Sequence, residues 1–188
     1  MDLVLDPKTT ALVLIDLEHA IVALPLAPYS SAEVVNRAAK LVDAFRRKGG
    51  TVIFVRVLVT EMAMLPVDEP LTRGDAAPPP NASDLIPETG VQAGDLIVTK
   101  RQWGAFYGTD LEQHLRRRGI RTIVIGGIAT NIGVESTARA AFDHGYEVVF
   151  AENAMSSLSA EMHGFSVKNI FPLMGRVRSV EEIVAALG

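Results

Sequence analysis

The chain has 188 residues, 48% of them apolar and 21% charged, which suits one folded domain and excludes a disordered chain. Eighteen Lys and Arg against 22 Asp and Glu leave a net charge of −4, without the broad basic field that nucleic acid or anionic lipid would need. Cysteine is absent, which excludes disulfides, thiolate metal sites and a thiol nucleophile.

Residues 1–10 carry Asp2, Asp6 and Lys8 in place of a basic and then apolar leader, and no run of 18 apolar residues occurs. A cytoplasmic protein with no membrane partner is expected. Residues 11–15, Ala-Leu-Val-Leu-Ile, form the first predicted strand and run directly into Asp16. Ser30 and Glu33 have capping-box spacing and open a helix whose buried stripe is Val35, Ala38, Val42 and Phe45. Gly49 and Gly50 stop it, and a strand over 52–59 follows, with Arg56 near its end. Residues 60–94 hold six of the ten prolines and cannot form a continuous helix or strand. So long a loop is expected to be a lid over the site or a subunit contact, unless it is merely a tolerated surface insertion.

The third strand, 96–99, leads into Lys100, Arg101, Gln102 and Trp103, with Phe106 and Tyr107 close behind. Thr109 with Glu112 has capping-box spacing and opens the next helix, which Gly119 stops. A strand over 122–126 enters the turn 127–133 and then a helix carrying Val134, Thr137, Ala138, Ala141 and Phe142. After Gly145 come a strand over 148–151 and a weaker one over 176–178, followed by a third capping pair, Ser179 and Glu182. Short apolar strands alternating with amphipathic helices predict a three-layer, doubly wound α/β fold. Its mostly parallel sheet has about six strands, with helices on both faces.

In such a sheet ligands bind beyond the carboxyl ends of the strands, where Asp16, Arg56, Lys100 and the turn 127–133 collect. Asp16 closes an apolar run, so desolvation raises its pKa unless a cation compensates, and Lys100 is the natural cation. The pair is either a general acid–base couple or a buried ion pair that joins two strand ends. The glycine-rich turn either offers backbone N–H groups to a developing negative charge or is an ordinary strand-to-helix connection. Trp103, Phe106 and Tyr107 read as an apolar wall for a ring-shaped or unsaturated ligand, with core or subunit packing as the alternative. His19, His114, His144 and His163 are scattered without ligand spacing, so neither a metal nor another cofactor is predicted. Of these, His114 and His144 read as surface residues, His19 as capping or solvated, and His163 as structural.

Two segments carry a resemblance. Residues 100–111 read Lys-Arg-Gln-Trp-Gly-Ala-Phe-Tyr-Gly-Thr-Asp-Leu, and residues 127–139 read Gly-Ile-Ala-Thr-Asn-Ile-Gly-Val-Glu-Ser-Thr-Ala-Arg. Together with Asp16 they resemble the isochorismatase-like hydrolases, the cysteine hydrolase superfamily. The resemblance spans most of the chain and implies a single Rossmann-like domain over 1–188. It implies a catalytic triad of a strand-end Asp, a Lys after the third strand and a Cys at the start of the following helix. Asp16 and Lys100 match the first two, and Gly133 stands at the third. It further implies a cis peptide between Ile128 and Ala129, an oxyanion hole from the N–H groups of Ala129 and Gly133, and a homo-oligomer, dimer or tetramer.

With glycine at 133, covalent amide hydrolysis of the nicotinamidase or carbamoylsarcosine-amidase kind is lost. True isochorismatases also resemble this chain in carrying glycine there, and in them the Asp is thought to protonate a vinyl ether while water adds. Two departures stand against a simple transfer. Residues 129–133 keep the wording of the cysteine branches, and Glu18 occupies a position where the family often has Gln. A third carboxylate disfavours a dianionic substrate unless Arg56, Arg73 or Arg101 offsets it. The segment from Arg56 to Glu61 lacks the histidine of the nicotinamidase metal cluster. The expected function is non-covalent hydrolysis of a small metabolite by Asp16 and Lys100, with Ala129 and Gly133 as backbone donors and Arg56, Trp103, Phe106, Tyr107 and Asn131 around the substrate. The alternative is a pseudoenzyme that only binds its ligand.

Overall fold

The computed structural model describes residues 3–63, 65–71 and 77–188. Its strands are β1 (Thr10–Ile15), β2 (Thr51–Val57), β3 (Leu96–Lys100), β4 (Thr122–Ile128), β5 (Glu147–Ser156) and β6 (Gly175–Arg178). They form one sheet in the order β3-β2-β1-β4-β5-β6, with every pairing parallel. The chain steps outward from β1 to β3 and then returns to lay β4 beside β1, so the strand order reverses between β1 and β4. That reversal opens the crevice in which a doubly wound, Rossmann-like sheet takes its ligands.

The unbroken apolar run of β1 is what burial on both faces demands. Ala11, Val13 and Ile15 face one side, Leu12 and Leu14 the other, and all five are fully buried. The helices are α1 (His19–Val22), α2 (Ser31–Arg47), α3 (Leu111–Arg117), α4 (Glu135–Asp143), α5 (Ala160–Phe165) and α6 (Val180–Ala186). The apolar faces of α2 and α6 pack on the Leu12 side, and those of α3 and α4 on the Ala11 side. Every residue of the stripe Val35, Ala38, Val42 and Phe45 is buried.

Capping geometry follows the spacing at two of the three expected boxes. Ser30 and Glu33 exchange side-chain and backbone hydrogen bonds at the start of α2, as do Ser179 and Glu182 at α6. The expectation at Thr109 is corrected. Its hydroxyl donates back to the Ala105 carbonyl, the N-cap passes to Asp110 without a side-chain bond, and Glu112 turns to Arg116 at 2.7 Å. β5 also runs to Ser156, five residues beyond its expected end, because pairing with β4 continues past polar Glu152 and Asn153.

Within the long proline-rich segment, only Pro87–Thr89 forms a 3-10 turn among the described residues. Residues 79–90 are nonetheless tied to the chain leaving β1. The Ala20 N–H donates to Ala82 O, the Ile86 N–H donates to Leu17 O, and Ala82, Ile86 and Thr89 are buried. Arg73, expected as a possible offsetting charge, lies outside the described residues.

Candidate active site

β1 ends by leaving regular strand geometry. Asp16 has φ 51°, in the left-handed region that Asp tolerates better than most side chains, and its N–H donates to Val55 O at 2.9 Å. Lys100 is the last residue of β3, two strand spacings away, or roughly 10 Å. Its long stem spans that gap: Nζ donates to Asp16 Oδ2 at 2.7 Å and to Trp103 O at 2.7 Å. Both residues are buried. Burial pushes the Asp16 carboxyl up to about 6, even though the Lys100 charge and hydrogen bond pull it down.

The third position comes from the turn after β4. Gly127 sits at φ 114°, where a Cβ would overlap the backbone of Ile15, so only glycine lets β4 pass this close to β1. The peptide between Ile128 and Ala129 is cis, as the resemblance implies. Residues Thr130–Val134 then form a π turn leading into α4. A Cβ built on Gly133 would stand 3.1 Å from Asp16 Oδ2, 3.4 Å from Lys100 Nζ and 3.0 Å from Ile15 Cγ2. Asp16, Lys100 and Gly133 thus meet at one point, and the ion pair crowds the space a side chain at 133 would need.

Glu18 joins them. It is completely buried, its Oε2 accepts the Val57 N–H at 2.9 Å, and its Oε1 has no hydrogen-bond partner, like Asp16 Oδ1. Burial first, and then the Asp16 charge, push the Glu18 carboxyl up to about 8 against the pull of the Val57 N–H, Lys100 and Arg56. The site therefore holds two buried carboxyls whose free oxygens call for a ligand or water.

The other expected residues divide. Asn131 is half-buried, and its Oδ1 accepts the Ser157 hydroxyl. Arg56 pairs in register with Thr99, as Val57 does with Lys100, so it projects from the opposite face of the sheet to Lys100. There it donates to Thr99 Oγ1 at 3.2 Å and lies 3.6 Å from Asp84. Phe106 points into the core against His144 and Tyr146. Tyr107 is 85% exposed and Trp103 is 49% exposed, so these three aromatics do not form one wall. Arg101 is exposed and paired with Glu61.

One connected group has no local sequence signature. His163 is buried, with Nδ1 2.8 Å from Thr130 Oγ1 and Nε2 3.1 Å from Glu152 Oε1. The Tyr29 hydroxyl donates to the same Glu152 carboxylate. With His163 Nε2 as donor to the carboxylate, Nδ1 is the acceptor for the Thr130 hydroxyl. This group fixes the turn that carries Ala129 and Gly133, and its members come from the segment before α2, β5, α5 and the turn itself, too far apart in sequence for spacing to reveal.

Two surface hollows, of about 520 and 340 Å³, lie away from this site, one beside Lys40, Asp43 and Val180 and the other around Phe142, Tyr146 and Arg176. Neither contains a residue that bears on Asp16, so the chemistry and not the hollow marks the site. Among the described residues no group of His, Cys, Asp and Glu could hold a metal ion, and no helix is long and apolar enough to cross a membrane.

Comparison with known proteins agrees with this geometry. The isochorismatase domain model matches residues 10–182. The chain is 50% identical over 183 residues to the isochorismatase family protein YwoC of Bacillus subtilis (strain 168), covering 96% of this chain and 95% of the relative. It is 50% identical over 195 residues to the isochorismatase family protein YecD of Escherichia coli O157:H7, covering 97% and 98%. The solved structure of an isochorismatase family protein from Burkholderia thailandensis superposes with a TM-score of 0.91 at 44% identity, over 99% of this chain and 98% of that one. A matching domain model over most of the chain, whole-length relatives and a shared fold agree: the chain belongs to the isochorismatase family of hydrolases, within the isochorismatase-like cysteine hydrolase superfamily.

Proposed function

We propose that the chain hydrolyses a small metabolite without a covalent enzyme intermediate, at an enol (vinyl) ether such as that of isochorismate or at a related bond. The observation that carries this reading is the buried contact of Asp16 with Lys100 beside a glycine at 133. With no nucleophilic atom there, the attacking group is water, and the protein's part is to move protons and steady charge. A carboxyl held near neutral pKa suits that task, as acid or base according to its protonation. Lys100 holds the negative form of Asp16, while the N–H groups of Ala129 and Gly133 face negative charge that develops on a substrate oxygen. Asn131 on the same turn and Trp103 beside Lys100 meet the substrate in this reading, and the residues 79–90 that pack over the end of β1 form part of the cover. Arg56 acts at longer range, through its charge on Glu18.

The same reading includes a homo-oligomer, a dimer or tetramer, in the cytoplasm. Exposed Trp103, Tyr107, Met162, Phe165 and Leu173 are apolar surface that a second subunit would cover. A substrate panel tests the chemistry. Enol ethers, isochorismate first, are expected to be turned over, and carboxamides to survive. Hydrolysis of amides alone would overturn the reading. Thermal stabilisation by a compound recovered unchanged, with no turnover of any, would establish the pseudoenzyme instead.

A further inference from the structure

Two carboxyls are buried in this site, and among the described residues only one buried ammonium serves them. Of its three N–H donors, Lys100 directs one to Asp16 Oδ2 and one to Trp103 O. The second cation that bears on Glu18, Arg56, is partly exposed and engaged with Thr99 and Asp84. His19, next along from Glu18, meets Asp84 through its backbone N–H. Glu18 itself receives only the Val57 N–H on Oε2, and its Oε1 faces no donor. Two ionised carboxylates in so dry a place would leave charge uncompensated.

We propose that Glu18 carries a proton in the resting protein and is the general acid of the site, with Asp16, held by Lys100, as its general base. The proposal rests on the enol-ether reading above. The order of the two carboxyls agrees with it, since Glu18 is pushed up to about 8 and Asp16 to about 6, and pairs driven apart in this way divide acid and base work. A protonated Glu has the shape of Gln, the residue that resembling sequences often place here, but only Glu has a proton to give.

The proton on Glu18 passes to the terminal vinyl carbon, a C–H bond forms as the C=C π bond breaks, and positive charge develops on the ether carbon. Water adds to that carbon and its proton goes to Asp16. In the resulting hemiketal the hydroxyl proton returns to Glu18, the bond to the ether oxygen breaks, and Asp16 protonates the departing oxygen. A ketone and an alcohol leave, and both carboxyls are restored.

Two measurements on the full chain test this. Infrared spectroscopy at pH 7 is expected to show a protonated-carboxyl C=O band that Glu18→Gln removes. A missing band, or one that persists in Glu18→Gln, overturns the proposal whatever the substrate. With isochorismate as the probe, Glu18→Gln is expected to lower kcat by about 100-fold or more while KM stays near wild type and Tm does not fall. A fully active Glu18→Gln overturns the acid role while leaving the Asp16 reading intact. Failure of the wild type on every enol ether removes that reading, and the acid role with it.

Discussion

Asp16 occupies a backbone region that costs most residues free energy, and it does so where its carboxyl is buried against a lysine. Glu18, two residues on, bonds no such counterion among the described residues. The two carboxyls make folding sensitive to pH, with a definite sign. For Glu18 the folded pKa, about 8, lies above its ordinary value of 4.5. Below 4.5 both folded and unfolded chains hold the proton. Between 4.5 and 8 only the folded chain does, so stability falls as pH rises through this window, by at most about 1.4 kcal/mol per pH unit. Asp16 adds a smaller loss between 3.8 and about 6. Urea denaturation across this range is expected to find Glu18→Gln more stable than wild type, by a margin that widens up to pH 8 and is then constant. A margin that does not change with pH would show that Glu18 is already ionised. The sequence made the desolvation of Asp16 legible, because an apolar run leads straight into it. It did not show that Glu18 would be sealed, because that depends on the Val57 N–H and on residues 79–90, which reach it from elsewhere in the chain.

Elements whose ends are set by neighbouring residues were the most legible. Ser30 with Glu33 and Ser179 with Glu182 close their boxes within four residues, and Gly119 and Gly145 stop their helices at positive φ. The same spacing at Thr109 failed because a tertiary demand, the turn behind Lys100, took the hydroxyl for Ala105 O. The turn 130–134 is the opposite case, held by His163 and Glu152 across distant stretches of chain. Replacing His163 with Ala removes both of its hydrogen bonds, leaving Thr130 Oγ1 unsatisfied and a cavity beside it. The expected cost is about 2–4 kcal/mol, with faster amide hydrogen exchange confined first to residues 130–134. Unchanged exchange there would show that the turn holds itself.

At the scale of the whole molecule, the alternation of short apolar strands and helices indicated the parallel sheet, and the sheet order explains why the site lies where it does. The reversal between β1 and β4 leaves a crevice, Asp16 and the π turn flank it, and Lys100 reaches in from β3 across the end of β2. The aromatic residues after Lys100 were less legible: three neighbours in sequence separate into core, half-exposed and exposed positions, because an irregular turn has no fixed period to assign their faces. Arg56 follows a fixed period instead, since the strand's alternation of two sends it to the far face from Lys100. The proposed chemistry depends on the carboxyl at the crevice being a working acid or base and not a strut between strands. The rate of pyruvate release from isochorismate by wild type and Asp16→Asn, each checked for an unchanged melting temperature, tests this most directly. A folded Asp16→Asn that is slower by about 100-fold or more is the expected result, and a folded variant as fast as wild type would contradict it.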